Sequence, residues 1–377
     1  MLLTKTDSSM ANGTKNSGVS KSAFGDHGNV VFYRLANPAD RNAFEMLLTT
    51  HPNISRYDRL ISQLKDLVKL ENPSKQLTDD EFASLIEEKL SGRPIEEFGV
   101  WVYYPWKNAI VHLLDEEDFI KVRTIRNVYK ITPEQIELLS KKKIGVVGLS
   151  VGQAVVMSLV MERLCGEIRI ADFDTLELSN LNRIRTGVFQ LGLEKTEIVK
   201  REVAEIDPFI KVVVFREGIQ KENIDAFLSE GGDLDLLVEE CDSADVKMMI
   251  RLACRKKGIP VVMETSDRGL LDVERYDLDT NYPILHGLVE ERFLEGKPLS
   301  KEEKMELLFQ CFDASQASEG MTRSISELGK SITTWPQLAS DVILGGAVVA
   351  MTTRMIFLTN NIKSSRTYVD VPSIIGK

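Results

Sequence analysis

IGVVGLSVGQAVVMSLVMERL, residues 144–164, decides the fold. An apolar strand, a glycine turn and an apolar helix follow one another. Such a turn points backbone N–H groups and a helix N-terminus at an anion, a phosphate first of all. Gly148 stands at the first position of the G-x-G-x-x-G pattern, Ser150 at the second and Gln153 at the third, with Gly152 opening the helix. Serine is small enough for backbone to approach a phosphate, and it brings a hydroxyl. Glutamine is harder to place where a glycine ordinarily permits close helix packing. Asp172 closes the next strand, 24 residues after Gly148, where an acidic side chain reaches ribose hydroxyls. These two features predict a nucleotide site without choosing the nucleotide.

Outward from this stretch the same alternation continues. Mostly apolar segments at 144–148, 167–172, 211–215, 235–239 and 260–265 are separated by helical segments, the pattern of a parallel sheet covered on both faces. A threonine cap at Thr132 and a proline at Pro133 start the helix that leads into it. Upstream, residues 29–122 read as a mixed α+β accessory region. Helical periodicity covers 54–70, Thr78 and Glu81 form a capping box, and GVWVYYP and NAIVHLL make a hairpin around 105–108. Residues 1–28, rich in Ser, Gly, Asn and Lys, have little to bury and read as a flexible tail. Downstream, the apolar run 342–358 is interrupted by Thr352, Thr353 and Arg354, which marks a buried helix rather than a membrane span.

Composition narrows the function. A net charge of −10 over 377 residues leaves no basic surplus for a nucleic acid, and no export signal opens the chain, so a cytoplasmic protein is expected. Cysteines at 165, 241, 254 and 311 form no C-x-x-C pair and fit reduced thiols. Asp277, Asp279 and Asn281 imitate a calcium loop, but Tyr282 occupies its glycine position. The four histidines show no metal spacing.

The segment DFDTLELSNLNRIRTG, residues 172–187, with Lys195 and then Asp242 in EECDS after the fourth strand, resembles the adenylation domain of ThiF/MoeB proteins and ubiquitin-activating enzymes. The resemblance covers about residues 123–358; with the chain to residue 370 it delimits a third region, 123–370. It implies a Rossmann-like, doubly wound, mainly parallel sheet. It also implies ATP-dependent adenylation of a carboxylate, with pyrophosphate released. The acceptor would be the C-terminus of a ubiquitin-like protein or peptide, or a small acid. By resemblance Asp172 binds ribose, with Asp174 beside it and Gly148, Ser150 and Gly152 forming the loop. Asn180 and Arg183 hold phosphates, Lys195 neutralises the α- and β-phosphates, and Asp242 carries magnesium. Charge builds on the phosphates during such a reaction, which is why prepositioned cations suit it. Arg123 and Arg126 resemble an R-x-x-R motif whose second arginine acts on the neighbouring subunit of a homodimer.

The chain departs from the family at Ser150, Gln153 and Ile184, where glutamine is usual. The C-x-x-C pairs that hold zinc in many relatives are absent, so no zinc is expected. Cys311 lies where some relatives carry a nucleophile, but Met305, Leu308, Phe309 and Phe312 surround it at helical spacing and make it a core residue. Cys241 reads as packing at a strand end. From about residue 50 onward the chain looks like a bacterial subgroup in which this domain precedes a nitroreductase-like domain, and a piece of a longer protein fits that likeness. Two other readings stand beside adenylation. One is a non-catalytic module on the same scaffold, and the other is an NAD(P)-dependent oxidoreductase, which leaves Lys195 and Asp242 unexplained.

Overall fold

The computed structural model describes residues 29–376 apart from 296–298 and 313, so the tail expected over 1–28 lies outside the described residues. In chain order the strands are β1 (Val31–Tyr33), β2 (Ser55–Asp58), β3 (Val100–Tyr104), β4 (Ala109–Leu113), β5 (Lys143–Val147), β6 (Glu167–Ala171), β7 (Lys211–Phe215), β8 (Leu236–Glu239), β9 (Val261–Thr265), β10 (Leu270–Glu274) and β11 (Ser365–Tyr368). They form two sheets.

The small sheet has the order β1-β3-β4-β2. Its centre is the expected hairpin of β3 and β4, turned through Pro105–Lys107 with Asn108 in the left-handed region at φ 46°. Apolar alternation cannot produce β2, because all four of its residues are exposed, and helical periodicity over 54–70 missed it. Its parallel ladder to β4 makes it a strand. The helix starts only at Leu60, whose face Leu60, Leu64, Leu67 and Val68 is buried. The Thr78 capping box forms, with the Thr78 N–H donating to Glu81 Oε2 at 2.7 Å. This layer leans on the main domain through Phe32 and Phe119 against Phe209, and Trp106 Nε1 donates to Glu205 Oε1 at 2.6 Å.

The large sheet runs β11-β10-β9-β8-β5-β6-β7. From β9 to β7 every neighbouring pair is parallel, while β10 and β11 extend the edge antiparallel, an addition the alternation of segments did not foretell. The order of strands reverses at β5. In such sheets the crevice at the carboxyl ends of the strands flanking the reversal, here β5 and β8, is where ligands bind.

Two cores cover the sheet. On one face the helices Gly152–Glu162, Lys195–Ile206 and Ala339–Thr359 pack on Val146, Ile168, Ile170 and Val262. On the other, Ile224–Ser229 and Ala244–Lys257 pack on Val147, Leu237 and Met263. Helix Ala339–Thr359 is long and apolar enough to cross a membrane by length and composition, but it packs against helix Gly152–Glu162 and β9. A Cβ at Gly346 would sit 2.7 Å from the backbone carbon of Ala154, so the absence of a side chain lets the two helix backbones meet.

Candidate functional site

The loops at the carboxyl ends of β5, β6 and β8 meet at one place. Gly148 has φ +86°, and a Cβ there would lie 2.7 Å from the Glu240 carbonyl oxygen and 2.9 Å from the Cys241 nitrogen. Glycine therefore serves twice, giving the left-handed turn and letting the ends of β5 and β8 touch. At Gly152 a Cβ would meet Val146 Cγ1 at 2.8 Å, so this glycine seats the helix on the sheet.

Asp172 holds the turn from below. Its Oδ2 accepts from the Leu149 N–H at 2.6 Å and its Oδ1 from the Asp174 N–H at 2.8 Å. Burial raises its pKa, against the attraction of Lys195 and those two hydrogen bonds. Lys195 is buried at the start of its helix and donates from Nζ to Asp174 Oδ2 at 2.7 Å. Across the turn, Arg183 donates to the Ser150 hydroxyl from Nε at 3.1 Å and from Nη2 at 2.8 Å. Burial lowers the Arg183 pKa and the charge of Asp242 opposes that shift, which places these two side chains in each other's field. Asn180, also buried, accepts at Oδ1 from the Glu177 N–H at 3.0 Å and shapes the short helical turn that carries Arg183.

A serine at the second glycine position thus becomes a seat for Arg183. Gln153 has other partners. It is buried and turned to the loop after Arg183, where its Oε1 accepts from the Arg185 N–H at 3.1 Å and its Nε2 donates to the Arg185 carbonyl at 3.1 Å and to Glu202 Oε2 at 2.7 Å. Glutamine at the third position is a clamp on the arginine loop. Burial pushes the Glu202 carboxyl up to about 7, although Gln153 and Thr186 hydrogen bonds pull the other way. Ile184, where the polar contact is lost, is buried with Leu176 and Ile198 and anchors the same loop from its apolar side.

Asp242 is exposed at the end of β8, and its carboxylate accepts no hydrogen bond among the described residues. The strand end is fixed from beneath. Glu239 accepts from Lys247 Nζ at 3.0 and 3.1 Å, from Arg251, and from the Cys241 N–H at 2.9 Å, while Arg251 Nε donates to Glu274 Oε2 at 2.7 Å. Burial alone would raise Glu239, but Lys247 and Arg251 outweigh it and hold it down at about 2. Removing one member would strand the others' charge, so the network is costly to break. No sequence pattern announces it, since its members come from β8, β10 and helix Ala244–Lys257.

Arg126 stands apart. Its turn Ile125–Asn127 leaves the side chain exposed, with no hydrogen bond or ion pair among the described residues. Arg123 instead clamps the fold, donating to the Val160 carbonyl at 2.7 Å and to Asp207 at 3.2 Å. Cys311 is buried in the core, and burial pushes its thiol up to about 11 against the charges of Lys247 and Arg251.

This set of groups suits a nucleoside triphosphate: a glycine turn and helix N-terminus, two cations on either side of the turn, and an acid at a strand end. Among the described residues no group of three or more His, Cys, Asp or Glu side chains is arranged to hold a metal ion.

Residues 122–269 match the model of the ThiF family, and this part of the chain is a ThiF-family domain on a Rossmann-like frame. Among relatives, the Mycobacterium tuberculosis protein named "Uncharacterized protein MT1398" is 41% identical over 286 residues, covering 75% of this chain and 39% of that protein. The Saccharomyces cerevisiae tRNA threonylcarbamoyladenosine dehydratase 2 is 32% identical over 149 residues, 39% of this chain and 33% of that one. Ubiquitin-like modifier-activating enzyme 5 of Caenorhabditis elegans is 24% identical over 132 residues, 33% of this chain and 32% of that one. The chain thus spans about 39% of the first relative's length and 33% of the second's. Among solved structures, the E. coli dehydratase TcdA matches with a TM-score of 0.46 at 17% identity, over 64% of this chain and 95% of that one. E. coli MccB with ATP matches at 0.44 and 16% identity, over 81% of this chain and 79% of that one.

Proposed function

We propose that the chain binds ATP on the 148–150 turn and activates a carboxylate as its adenylate. A carboxylate oxygen attacks the α-phosphorus, the bond to the bridging oxygen breaks, and pyrophosphate leaves with the electron pair. The observation that carries this reading is the placement of two cations around one turn, Arg183 on Ser150 and Lys195 on Asp174, with Asp242 facing Arg183. Charge grows on the α-phosphate and on the departing pyrophosphate, and fixed cations stabilise it without reorganising at the moment of reaction. Lys195 would exchange Asp174 for α- and β-phosphate oxygens, while Arg183 and Asn180 hold the remainder. Asp172, already held by two backbone N–H groups, would accept from a ribose hydroxyl. Magnesium on Asp242 would neutralise phosphate charge and favour the leaving group.

Relatives named for activating a ubiquitin-like modifier and for dehydrating a tRNA nucleoside support an ATP-using member of this family. A tRNA acceptor meets a chain of net charge −10, which disfavours it. The clamp made by Gln153 supports catalysis over a scaffold unable to close on triphosphate, because that side chain leaves the turn open. Calorimetric titration with magnesium–ATP, followed by ATP–pyrophosphate exchange with a panel of carboxylic acids, tests the reading. Arg183→Ala or Lys195→Ala should cost roughly 100-fold or more in exchange, the scale of losing one prepositioned charge donor. Wild-type chain that takes up no ATP would end this reading.

A further inference from the structure

Beyond Asp242 the crevice opens into a cavity of about 160 Å³, a volume that takes a benzene-sized group. It includes Val151, next to the 148–150 turn, and Asp242, and is walled by Leu308, Phe309, Phe312, Met321 and Trp335, from helix Lys301–Phe312 and the segment that follows it. Continuity with Asp242 makes it the place of the acceptor, and in that respect the inference rests on the adenylation reading. The wall is far more apolar than a glycine-ended protein tail would use, since such a tail has no side chain to set against two phenylalanines and a tryptophan.

The polar part of the lining holds the neutral Thr265, Ser266, Gln316 and Gln337 as well as acids. Besides Asp242 it holds Glu240, Glu264 and Asp267, and its cation is Lys247, which both oxygens of Glu239 already hold at 3.0 and 3.1 Å. Asp267 is taken up by Ser318, from Oγ at 2.6 Å and from the N–H at 3.0 Å, and Glu240 Oε1 accepts from the Glu264 N–H at 3.1 Å. Glu264 differs. Its residue is 4% exposed, its Oε2 is buried with no hydrogen-bond partner among the described residues, and Gly345 leaves it room, because a Cβ there would overlap the carboxyl. An unpaired buried carboxyl costs free energy that a ligand donor would recover. An ammonium group supplies a charged donor to this carboxyl, which a plain carboxylic acid cannot, and a zwitterion carries that ammonium beside its carboxylate.

We propose that this cavity takes an amino acid with an apolar side chain. The side chain lies on the Phe309–Trp335 wall, the ammonium group meets the Glu264 carboxyl, and the carboxylate turns to the nucleotide loop. Adenylation then yields an aminoacyl adenylate and pyrophosphate by the bond changes given above. Burial and the charge of Asp341 push Glu264 up to about 8, and an ammonium partner would bring it down again.

The test is tryptophan fluorescence of the whole chain, without ATP, titrated with L-phenylalanine, L-leucine, 3-phenylpropionate and a peptide ending in Gly-Gly. Trp335→Phe identifies the part of the signal that belongs to the cavity. The amino acids should titrate that signal at concentrations at least tenfold below 3-phenylpropionate, a comparison that needs no variant. Glu264→Gln should erase the difference while leaving the 3-phenylpropionate curve in place. Equal titration by L-phenylalanine and 3-phenylpropionate, or a response to the peptide alone, would overturn the proposal. The adenylation reading fails separately: amino-acid binding without exchange removes activation and leaves the cavity assignment, and exchange with the peptide alone does the reverse.

Discussion

At the scale of single residues, the site is a set of substitutions that compensate one another. Ser150 gives up glycine's freedom and gains a hydroxyl that Arg183 uses twice, while Gln153 and Ile184 hold the arginine loop from its polar and apolar sides. The deviations are visible in the sequence, but their directions are not, because a side chain's partner 30 residues away depends on how two loops meet. Glu202 carries a measurable consequence. Its carboxyl titrates at about 7 in the fold against an ordinary value of 4.5, and Glu264 at about 8. A raised carboxyl favours folding while it is protonated, so this stabilisation is complete below pH about 4.5 and is lost as pH rises through 7 and then 8. Thermal unfolding should therefore show a Tm that falls between about pH 4.5 and pH 8. Glu202→Gln should flatten that fall, and a slope unchanged by the substitution would remove Glu202 from the account.

At the scale of elements, helix Ala339–Thr359 is the closing piece. Its apolar length was legible, but the reason for its paired glycines was not, since only packing sets Gly346 against the Ala154 backbone and Gly345 against Glu264. Helix propensity alone favours Gly346→Ala by about 1 kcal/mol. Overpacking costs typically about 1–3 kcal/mol, and here the obstacle is backbone, 2.7 Å from the new Cβ, which cannot swing aside. The steric cost wins. Urea unfolding should place the midpoint of Gly346→Ala below that of the wild type with an unchanged m-value, and a stabilised variant would mean that the helices have room to part.

At the scale of the whole molecule, Arg126 has no use within the single chain among the described residues. It is exposed and has no hydrogen bond or ion pair among the described residues, while Arg123, three residues earlier, is locked to Val160 and Asp207. Helix Ala339–Thr359 also turns Ile343, Met351 and Met355 outward, apolar area that a second copy would cover. If Arg126 acts on a neighbour's nucleotide, Arg126→Ala and Arg183→Ala chains are each impaired alone. Mixed together they recover part of the exchange activity, because one site of each mixed dimer then has both arginines. A mixture no more active than its parts would place Arg126 outside the reaction.

The β3–β4 hairpin, the strand–helix alternation from β5 to β9 and the glycine turn follow from the sequence by itself, because each depends on local periodicity or on spacing along the chain, whereas β2, β10 and β11 are strands only through their ladders to neighbours. Tertiary structure alone decided what lies at the far end of that crevice. The Glu239–Lys247–Arg251–Glu274 network, the Gln153 clamp, the buried Glu264 and the aromatic cavity all join residues from separate elements. The partners of a buried charge are chosen by the packing that removes it from water, and no stretch of chain carries that information alone.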